Sequence, residues 1–395
     1  MRELNQALIL DLIREGGQIS RADIAKRTSL SRSTVSNIVN DLVAEQRLSE
    51  IGAGVSSGGR RPILLEFNYR SAFVIGIELA TDRLNVLLTD LQAVVVAQHS
   101  EDFDIAAGPV HGLAQLKAAT DRVLATLGNH PVVGVGVGVP GPLAYTRGST
   151  IAPPIMPGWG GVPLREELQH LLQLPVHLDN DANLGALAEQ HLGVGQGVQN
   201  MAFVLLASTG IGAGLVMGGA IYRGEIGSAG EIGHLTIDED GPRCRCGSFG
   251  CLESMAAIPA ILERAAALGI PASSFAELLA HAEAGHAAAR QLLTTAGGHI
   301  GVAIASLLNL YNPGLVVLGG PLAAAGDLLL DAVRLTARER ALAIALEHCQ
   351  VVRGTLGINA VALGAASHVI QAVFRPPMLA AWTPPHIGHF AAALA

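Results

Sequence analysis

The sequence predicts an α/β body carried behind a small helical head. Three observations predict it. Apolar runs at residues 132–139, 176–178, 201–207 and 315–318 each end in a glycine-rich or Asx-rich loop, and Ala-rich helical stretches lie between them. That alternation suits an α/β fold, whose ligands sit beyond the strand ends. The first 68 residues carry three short helical patterns followed by an arginine-tipped strand pair instead. Between residues 230 and 253, one histidine and three of the four cysteines crowd into a glycine-punctuated loop.

At 395 residues the chain has room for two or three domains, and 50% hydrophobic content is ample for a sizeable core. No uninterrupted apolar run reaches membrane-spanning length, and the N-terminus lacks a signal-peptide layout. The cysteines are arranged for a metal rather than for disulfides, with Cys349 alone, which fits a reducing cytoplasm. A net charge of −8 argues against nucleic acid as a partner, but the charge is uneven. Residues 1–66 hold 9 Lys+Arg against 8 Asp+Glu, leaving 16 against 25 in the remainder. A near-neutral head on an acidic body permits DNA binding by the head alone.

Within the head (residues 1–68), residues 2–14 place Leu4, Leu8, Ile9, Leu12 and Ile13 at helical spacing. Ser20 reads as an N-cap with Asp23 closing a capping box, so a second helix runs from Arg21 to about Arg27. A short turn over 28–30 leads to Ser31 and a third helix over 31–46, with Val35, Ile38, Val39 and Leu42 inward. Arg32, Ser33, Thr34, Ser36 and Asn37 then face outward at its start, together with Arg21 on the preceding helix. Small hydroxyls, an amide and arginines are what a recognition helix uses on base edges and phosphates. Residues 48–51, a Gly/Ser loop and the strand at 63–67 make a β-wing tipped by Arg60 and Arg61, suited to a phosphate or a minor groove. The whole reads as a winged helix-turn-helix; the alternative is a plain helical trimer with a solvated face.

In the body (residues 70–374), the stretch 74–92 alternates and turns as a β-hairpin. The run at 132–139 ends in Pro140-Gly141-Pro142, and that at 176–178 in Asp179-Asn180-Asp181-Ala182-Asn183 before a helix. The run at 201–207 ends in a Ser-Thr-Gly-Ile-Gly-Ala-Gly loop, and that at 315–318 in Gly319-Gly320. Helices are expected at 255–267 and 287–309. His234, Cys244, Cys246 and Cys251 form an upstream His with Cys-x-Cys-x4-Cys, the ligand set of a closed tetrahedral zinc site, and Gly241, Gly247 and Gly250 let the loop fold tightly. The alternative is three loop cysteines without a metal. Glu231 and Glu253 bracket the knot, so the metal is expected to shape a loop that binds something polar.

These motifs, in order to about residue 370, resemble the ROK family, which groups sugar-responsive repressors with sugar kinases: the winged head, Asn-Asp-Ala-Asn at 180–183, Thr-Gly-Ile-Gly-Ala-Gly at 209–214, Ala-Gly-Glu-Ile-Gly-His at 229–234 and the Cys-Leu-Glu end of the knot at 251–253. The resemblance implies an actin-like ATPase fold of two α/β lobes with a cleft between them. It also implies that Asn180, Asp181, Glu231, His234 and Glu253 contact a sugar, with Asp181 at the position of the kinase base and His234 shared with zinc. Carboxylates accept several hydroxyls each, which suits a sugar, and Asp181 at a strand end could take a proton from one. Asn180 and Asp181 are also good helix N-caps, and both roles can hold. Where the family often has an Asn before its Leu-Pro-Gly-Trp, this chain has Ile155-Met156 before Pro157-Gly158-Trp159, so Trp159 reads as loop packing before it reads as a stacking platform.

The first phosphate loop separates enzyme from regulator. Family kinases carry Asp-x-Gly-Gly-Thr, and the glycines let backbone N–H groups reach phosphate. This chain has Glu78-Leu79-Ala80-Thr81-Asp82, which loses both glycines and adds a like charge. The expectation is no ATP, no catalysis and a cytoplasmic, sugar-responsive repressor. It would be a homo-oligomer, dimer or tetramer, on two operator half-sites, with structural zinc and no membrane partner. An ATP-dependent sugar kinase and a repressor controlled by a protein partner are the alternatives. The Pro-rich tail at 375–395 lies outside the resemblance, and either mobility or docking through Trp382 and Phe390 suits it.

Overall fold

The computed structural model describes residues 2–53, 61–151 and 155–374. The Arg60 wing tip and the 375–395 tail therefore lie outside the described residues.

The head comprises α1 (Arg2–Gly16), β1 (Ile19–Ser20), α2 (Arg21–Thr28), α3 (Arg32–Ala44), β2 (Leu48–Ala53) and β3 (Ile63–Phe67). Its three strands form a sheet in the order β1-β3-β2. Ser20 caps α2 by accepting from Asp23 N, and its hydroxyl donates to Asp23 Oδ2 at 2.6 Å. Ser31 caps α3 by accepting from Thr34 N. The inward set on α3 is the expected one, with Val35, Ile38, Val39 and Leu42 buried. On α1 the buried face is Ala7, Ile9, Leu10 and Ile13, whereas Leu4 and Leu8 are 62% and 47% exposed. Helical spacing alone admits two neighbouring stripes on α1, and the core takes the one that meets β3 and α2.

The first lobe holds β4 (Phe73–Leu79), β5 (Arg83–Asp90), β6 (Val95–Asp102), α4 (Pro109–Leu124), β7 (Val132–Val139), the short pair β8 (Leu143–Ala144) and β9 (Ser149–Thr150), α5 (Leu164–Leu172), β10 (Val176–Asn180) and α6 (Asp181–Leu192). The second holds β11 (Met201–Leu206), β12 (Ile211–Met217), β13 (Ala220–Tyr222), α7 (Leu252–Ala256), α8 (Ile258–Ala267), α9 (Phe275–Glu283), α10 (Ala287–Tyr311), β14 (Leu315–Gly319), α11 (Asp327–Arg340), α12 (Ala343–Glu347) and β15 (Gln350–Arg353), and α6 packs on its strands β11 and β12; the last helix, α13 (Ala360–Val373), returns to the first lobe's sheet at β4 and β7. The main sheets run β10-β7-β4-β5-β6 and β13-β12-β11-β14-β15. Each is therefore three antiparallel strands followed by two parallel ones, the same topology built twice.

Both faces of the sheets are covered, so β4 and β11 are buried at every residue and read as apolar runs. The helix expected at 255–267 is broken at Ala257, because Pro259, in the first turn of α8, cannot donate back to a preceding turn. The 209–214 glycine run is not a loop throughout: Ile211–Gly214 belongs to β12, and only the residues before it turn. The glycine at 214 serves packing, since a Cβ there would lie 2.2 Å from Ala182 O of α6. By length and composition α10 could cross a membrane, but Leu293, Ala296, Ile300 and Ile304 lie in the second lobe's core, the setting of a core helix.

Helix α13 ties the three parts together. It lies against β4, where a Cβ on Gly76 would meet Ala362 O at 2.0 Å. It crosses α6 so closely that a Cβ on Gly364 would meet Leu184 O at 1.8 Å. Its far end enters the head's core through Ala366, Val369 and Val373. Phe374 follows, meeting Phe67 of β3 edge-on at 5.4 Å beneath the Arg14 guanidinium.

Candidate functional site

The cleft between the lobes collects residues that are far apart in the chain. Asn180, Asp181, Glu231, His234 and Glu253 all line one cavity, together with Glu78, Gly141, the turn at 209–210 and the start of β12. Asn180 ends β10 and caps α6, accepting from Ala182 N at 2.9 Å and Asn183 N at 3.2 Å. Capping uses its oxygen and leaves its amide nitrogen for the cleft. A Cβ on Gly141 would come within 2.8 Å of Asn180 Nδ2 and 3.2 Å of Glu231 Oε1, so the Pro-Gly-Pro turn is where these side chains converge. Glu231 precedes a single 3-10 turn, Ile232–His234, and Glu253 opens α7 with its carboxylate beside Gly210.

The electrostatics are those of crowded, desolvated carboxylates. Burial, joined by the charges of Glu78 and Glu231, lifts the Asp181 carboxyl to about 7, against the Ala182 N–H that it accepts at 2.8 Å. Burial likewise raises Glu231 and Glu253, with His234 opposing in each case. Burial raises Glu78 against its ion pair to Arg83 at 2.7 Å. Carboxylates that sit this close, near a histidine, are poised to accept hydrogen bonds from a neutral polyhydroxylated ligand.

Two features on the Thr81–Thr209 side of the cleft escape the sequence. Glu78 of β4 and Arg83 of β5 form an ion pair across the turn between those strands, and Thr81 Oγ1 meets Thr209 Oγ1 at 2.9 Å, joining the two turns directly across the cleft. A third is the partner of Asp179. Its Oδ1 accepts from Asn180 N and Asn183 Nδ2, and its Oδ2 accepts from Arg223 Nε and Nη2 at 3.0 and 2.5 Å. Arg223 follows β13, so this buried pair fixes the start of α6 to the second lobe. Trp159 is wholly buried, and its Nε1 donates to Ile105 O, so it is loop packing.

The knot forms a metal-shaped cluster. The ligand atoms of His234, Cys244, Cys246 and Cys251 all lie within 4.8 Å of one another. Cys244 Sγ is 3.7 Å from His234 Nδ1, and Cys246 Sγ is 3.7 Å from Cys251 Sγ. Tetrahedral geometry with zinc–sulfur bonds of about 2.3 Å requires sulfur–sulfur separations of about 3.8 Å, and a disulfide would require about 2.05 Å. The donor set therefore fits a tetrahedral cation. Burial pushes the Cys251 thiol up to about 12 and raises Cys244, whereas the Ser248 N–H draws Cys246 down; a cation would hold all three as thiolates. Gly250 is obligatory at its φ of 59°, because a Cβ would meet Asp238 O at 1.5 Å. His234 belongs to both the cluster and the cleft.

On the head, Arg32, Ser33 and Asn37 are exposed, with Thr34 and Ser36 half-buried beside them. The hydroxyls of Ser33 and Thr34 both meet Ser31 Oγ, at 2.9 and 2.8 Å. Arg21 is engaged within the head, pairing with Glu50 of β2 at 2.9 Å and Asn40 of α3 at 3.1 Å. Arg61 is exposed at the base of the wing.

Comparison with known proteins agrees with this architecture. The MarR family model matches residues 3–46, and that of the ROK family matches residues 74–372. The chain is 32% identical to the xylose repressor of Bacillus subtilis (strain 168), over 94% of this chain and 96% of that protein. It is 29% identical to the DNA-binding transcriptional dual regulator NagC of Escherichia coli (strain K12), over 96% and 95%. A ROK family transcriptional regulator described as a homolog of the E. coli MLC protein superposes with a TM-score of 0.79 at 26% identity, covering 96% of this chain and 98% of that one. A ROK hexokinase from Thermus thermophilus, 34% identical with a TM-score of 0.62, covers 74% of this chain and 96% of its own. With its lobes matched by the family model and its winged head matched as well in full-length relatives, the chain belongs to the ROK family.

Proposed function

We propose that the chain is a sugar-responsive transcriptional repressor, with residues 1–68 as the DNA-binding domain and 70–374 as the effector domain. The observation that carries this reading is the continuity of α13 from the lobe crossing at Gly364 to the head at Phe374. Asn180, Asp181, Glu231, His234 and Glu253 bind the sugar, and zinc on His234, Cys244, Cys246 and Cys251 holds the Glu231 and Glu253 segments in place. Sugar binding changes the angle between the lobes, α13 carries the change, and the β3 wing moves relative to α3. This works only if the sugar prefers the state that binds DNA poorly. Arg32, Ser33, Thr34, Ser36 and Asn37 read the operator, with Arg60 and Arg61 on the backbone. Arg21, tied to Glu50, serves chiefly to brace the helices. Two copies bind two half-sites in the cytoplasm.

ATP has no place in this reading. Glu78–Arg83 and the Thr81–Thr209 bridge occupy the phosphate side, which supports a non-catalytic protein. The kinase reading has one observation in its favour: an Asp181 near neutrality in its pKa suits a general base. Fluorescence anisotropy on DNA from upstream of the gene, with a sugar panel led by xylose, tests the repressor reading. Release of specific binding by one sugar supports it. No specific binding, together with sugar-dependent ADP release that Asp181→Ala abolishes, replaces it with the kinase.

A further inference from the structure

The chain passes between the lobes twice. β10 runs straight into α6, which lies on the second lobe's strands, and β15 returns through residues 354–359 to α13, which lies on the first lobe's sheet. The return segment is held at both ends and free in the middle. At its start, Glu189 of α6 is wholly buried and forms no ion pair among the described residues. Its Oε1 accepts from Leu356 N at 3.2 Å and its Oε2 from Val194 N at 3.1 Å. Gly193 and Gly354 make room for it, since a Cβ on them would come within 1.9 and 2.4 Å of its carboxylate oxygens. At the other end, Asn359 Oδ1 accepts from Asn85 Nδ2 of β5 at 3.0 Å and from Gln98 Nε2 of β6 at 3.2 Å, and Asn359 Nδ2 donates to Gln98 Oε1 at 3.4 Å. Asn85 is itself wholly buried. Between these anchors Gly357 has a φ of +57°, and a Cβ there would meet nothing within 4 Å. Ile358 beside it is 57% exposed.

We propose that Gly357 and Ile358 are the pivot on which the lobes turn, with Glu189 anchoring its second-lobe side and Asn359 its first-lobe side. A hinge is a few residues that absorb a change in φ and ψ between segments that do not yield. Glycine adopts a wide range of φ, and Ile358 puts more than half its surface into solvent, so little packing resists their turning. The anchors do resist. A buried carboxylate without a cation depends on its N–H donors, and breaking either bond leaves buried polar groups unpaired. The other crossing, at Asn180 and Asp181, lies in the cleft itself. Glu189 stands about 12 Å further along α6 at 1.5 Å per residue. Rotation at 357–358 therefore opens or closes the cleft. It also swings α13, which starts at Ala360 directly after the first-lobe anchor and ends at the head. The regulatory use of the pivot rests on the repressor reading; the pivot itself does not.

Nitroxides carried on p-acetylphenylalanine in place of Val110 of α4 and Leu310 of α10, which are 86% and 87% exposed, spare the cysteines and report the distance between the lobes by pulsed electron resonance. In the full-length, zinc-loaded protein without sugar or DNA, Ile358→Gly should widen the distance distribution about two-fold by adding a second free residue to the pivot. Leu268→Gly, at a comparably exposed helix end outside the crossing, should leave the parent's width. Glu189→Gln should raise amide hydrogen exchange at Val194 and Leu356 together, about ten-fold each, as one shared acceptor is weakened. Zinc content and unfolding midpoints are checked for each variant. If Glu189→Gln fails to fold, the two glycine variants decide. A parent-like width in Ile358→Gly, or equal widening in Leu268→Gly, overturns the pivot. Exchange that rises at Val194 but not at Leu356 overturns the anchor. On the repressor reading, a softened pivot drives α13 less, so the sugar that releases the operator shifts its affinity less in Ile358→Gly than in the parent; an equal shift would overturn the regulatory use. Absence of any operator binding would end the repressor reading and leave the distance measurement intact.

Discussion

Replacing Asp181 by Asn removes a charge that the fold resists, and the effect has a definite pH signature. The Asp181 carboxyl stands at about 7 in the folded protein against an ordinary value of 3.8. Between those values the folded chain keeps a proton that the unfolded chain has released. Stability therefore falls as pH rises through this window and levels off above about 7. The full shift corresponds to an upper bound of about 4 kcal/mol at 1.36 kcal/mol per unit. Roughly half of it accrues between pH 5.5 and 8.5, where the protein can be studied with its metal in place. Asn keeps an oxygen for the Ala182 N–H and carries no charge. The stability of Asp181→Asn relative to the parent should therefore grow by about 2 kcal/mol across that range. Urea unfolding of both proteins at several pH values measures it, and titration of the zinc ligands cancels in the difference. A gap that stays constant with pH would refute the desolvation argument.

Cys246→Ser should reduce bound zinc, measured by atomic absorption, and lower the thermal midpoint, because one of four ligands to a structural cation is lost. Zinc content equal to the parent's would contradict the cluster. Gly364→Ala puts a methyl 1.8 Å from Leu184 O and should cost about 1–3 kcal/mol by forcing α6 and α13 apart, visible in chemical unfolding. Arg32→Ala should weaken operator binding and reduce the slope of log affinity against log salt by about 1, if its guanidinium lies on phosphate. Arg21→Ala should instead lower the head's stability by up to about 1 kcal/mol, through loss of its contacts to Glu50 and Asn40.

What the sequence exposed is local chemistry. Ser20 and Ser31 announce their helices because a cap is made within three residues. The run at 132–139 is legible because β7 is buried on both faces. The His/Cys3 cluster is legible because the four residues that could hold a metal lie within residues 234–251. By contrast β6 opens on the apolar residues Val95, Val96 and Ala97 and ends on the charged Glu101 and Asp102, with neither a sustained run nor an alternation to mark it, although it pairs with β5 along its length. Asp179 and Arg223 are 44 residues apart, and nothing near either announces the other. The glycines at 76, 214 and 364 look like ordinary small residues until the helix that presses on each is in place. The cleft residues follow from a resemblance; spacing alone does not join Asn180 to Glu231.

The role of α13 has a consequence for synthesis. The head leaves the ribosome first, but part of its apolar core is supplied by Val369 and Val373, among the last of the described residues to be made. Until then Phe67 has no Phe374 to pack on, and one side of the head stays open. A chain that stops early, or whose lobes fail to fold, thus presents an unfinished head. Occupancy of DNA is in this way reserved for molecules that already contain the apparatus for leaving it.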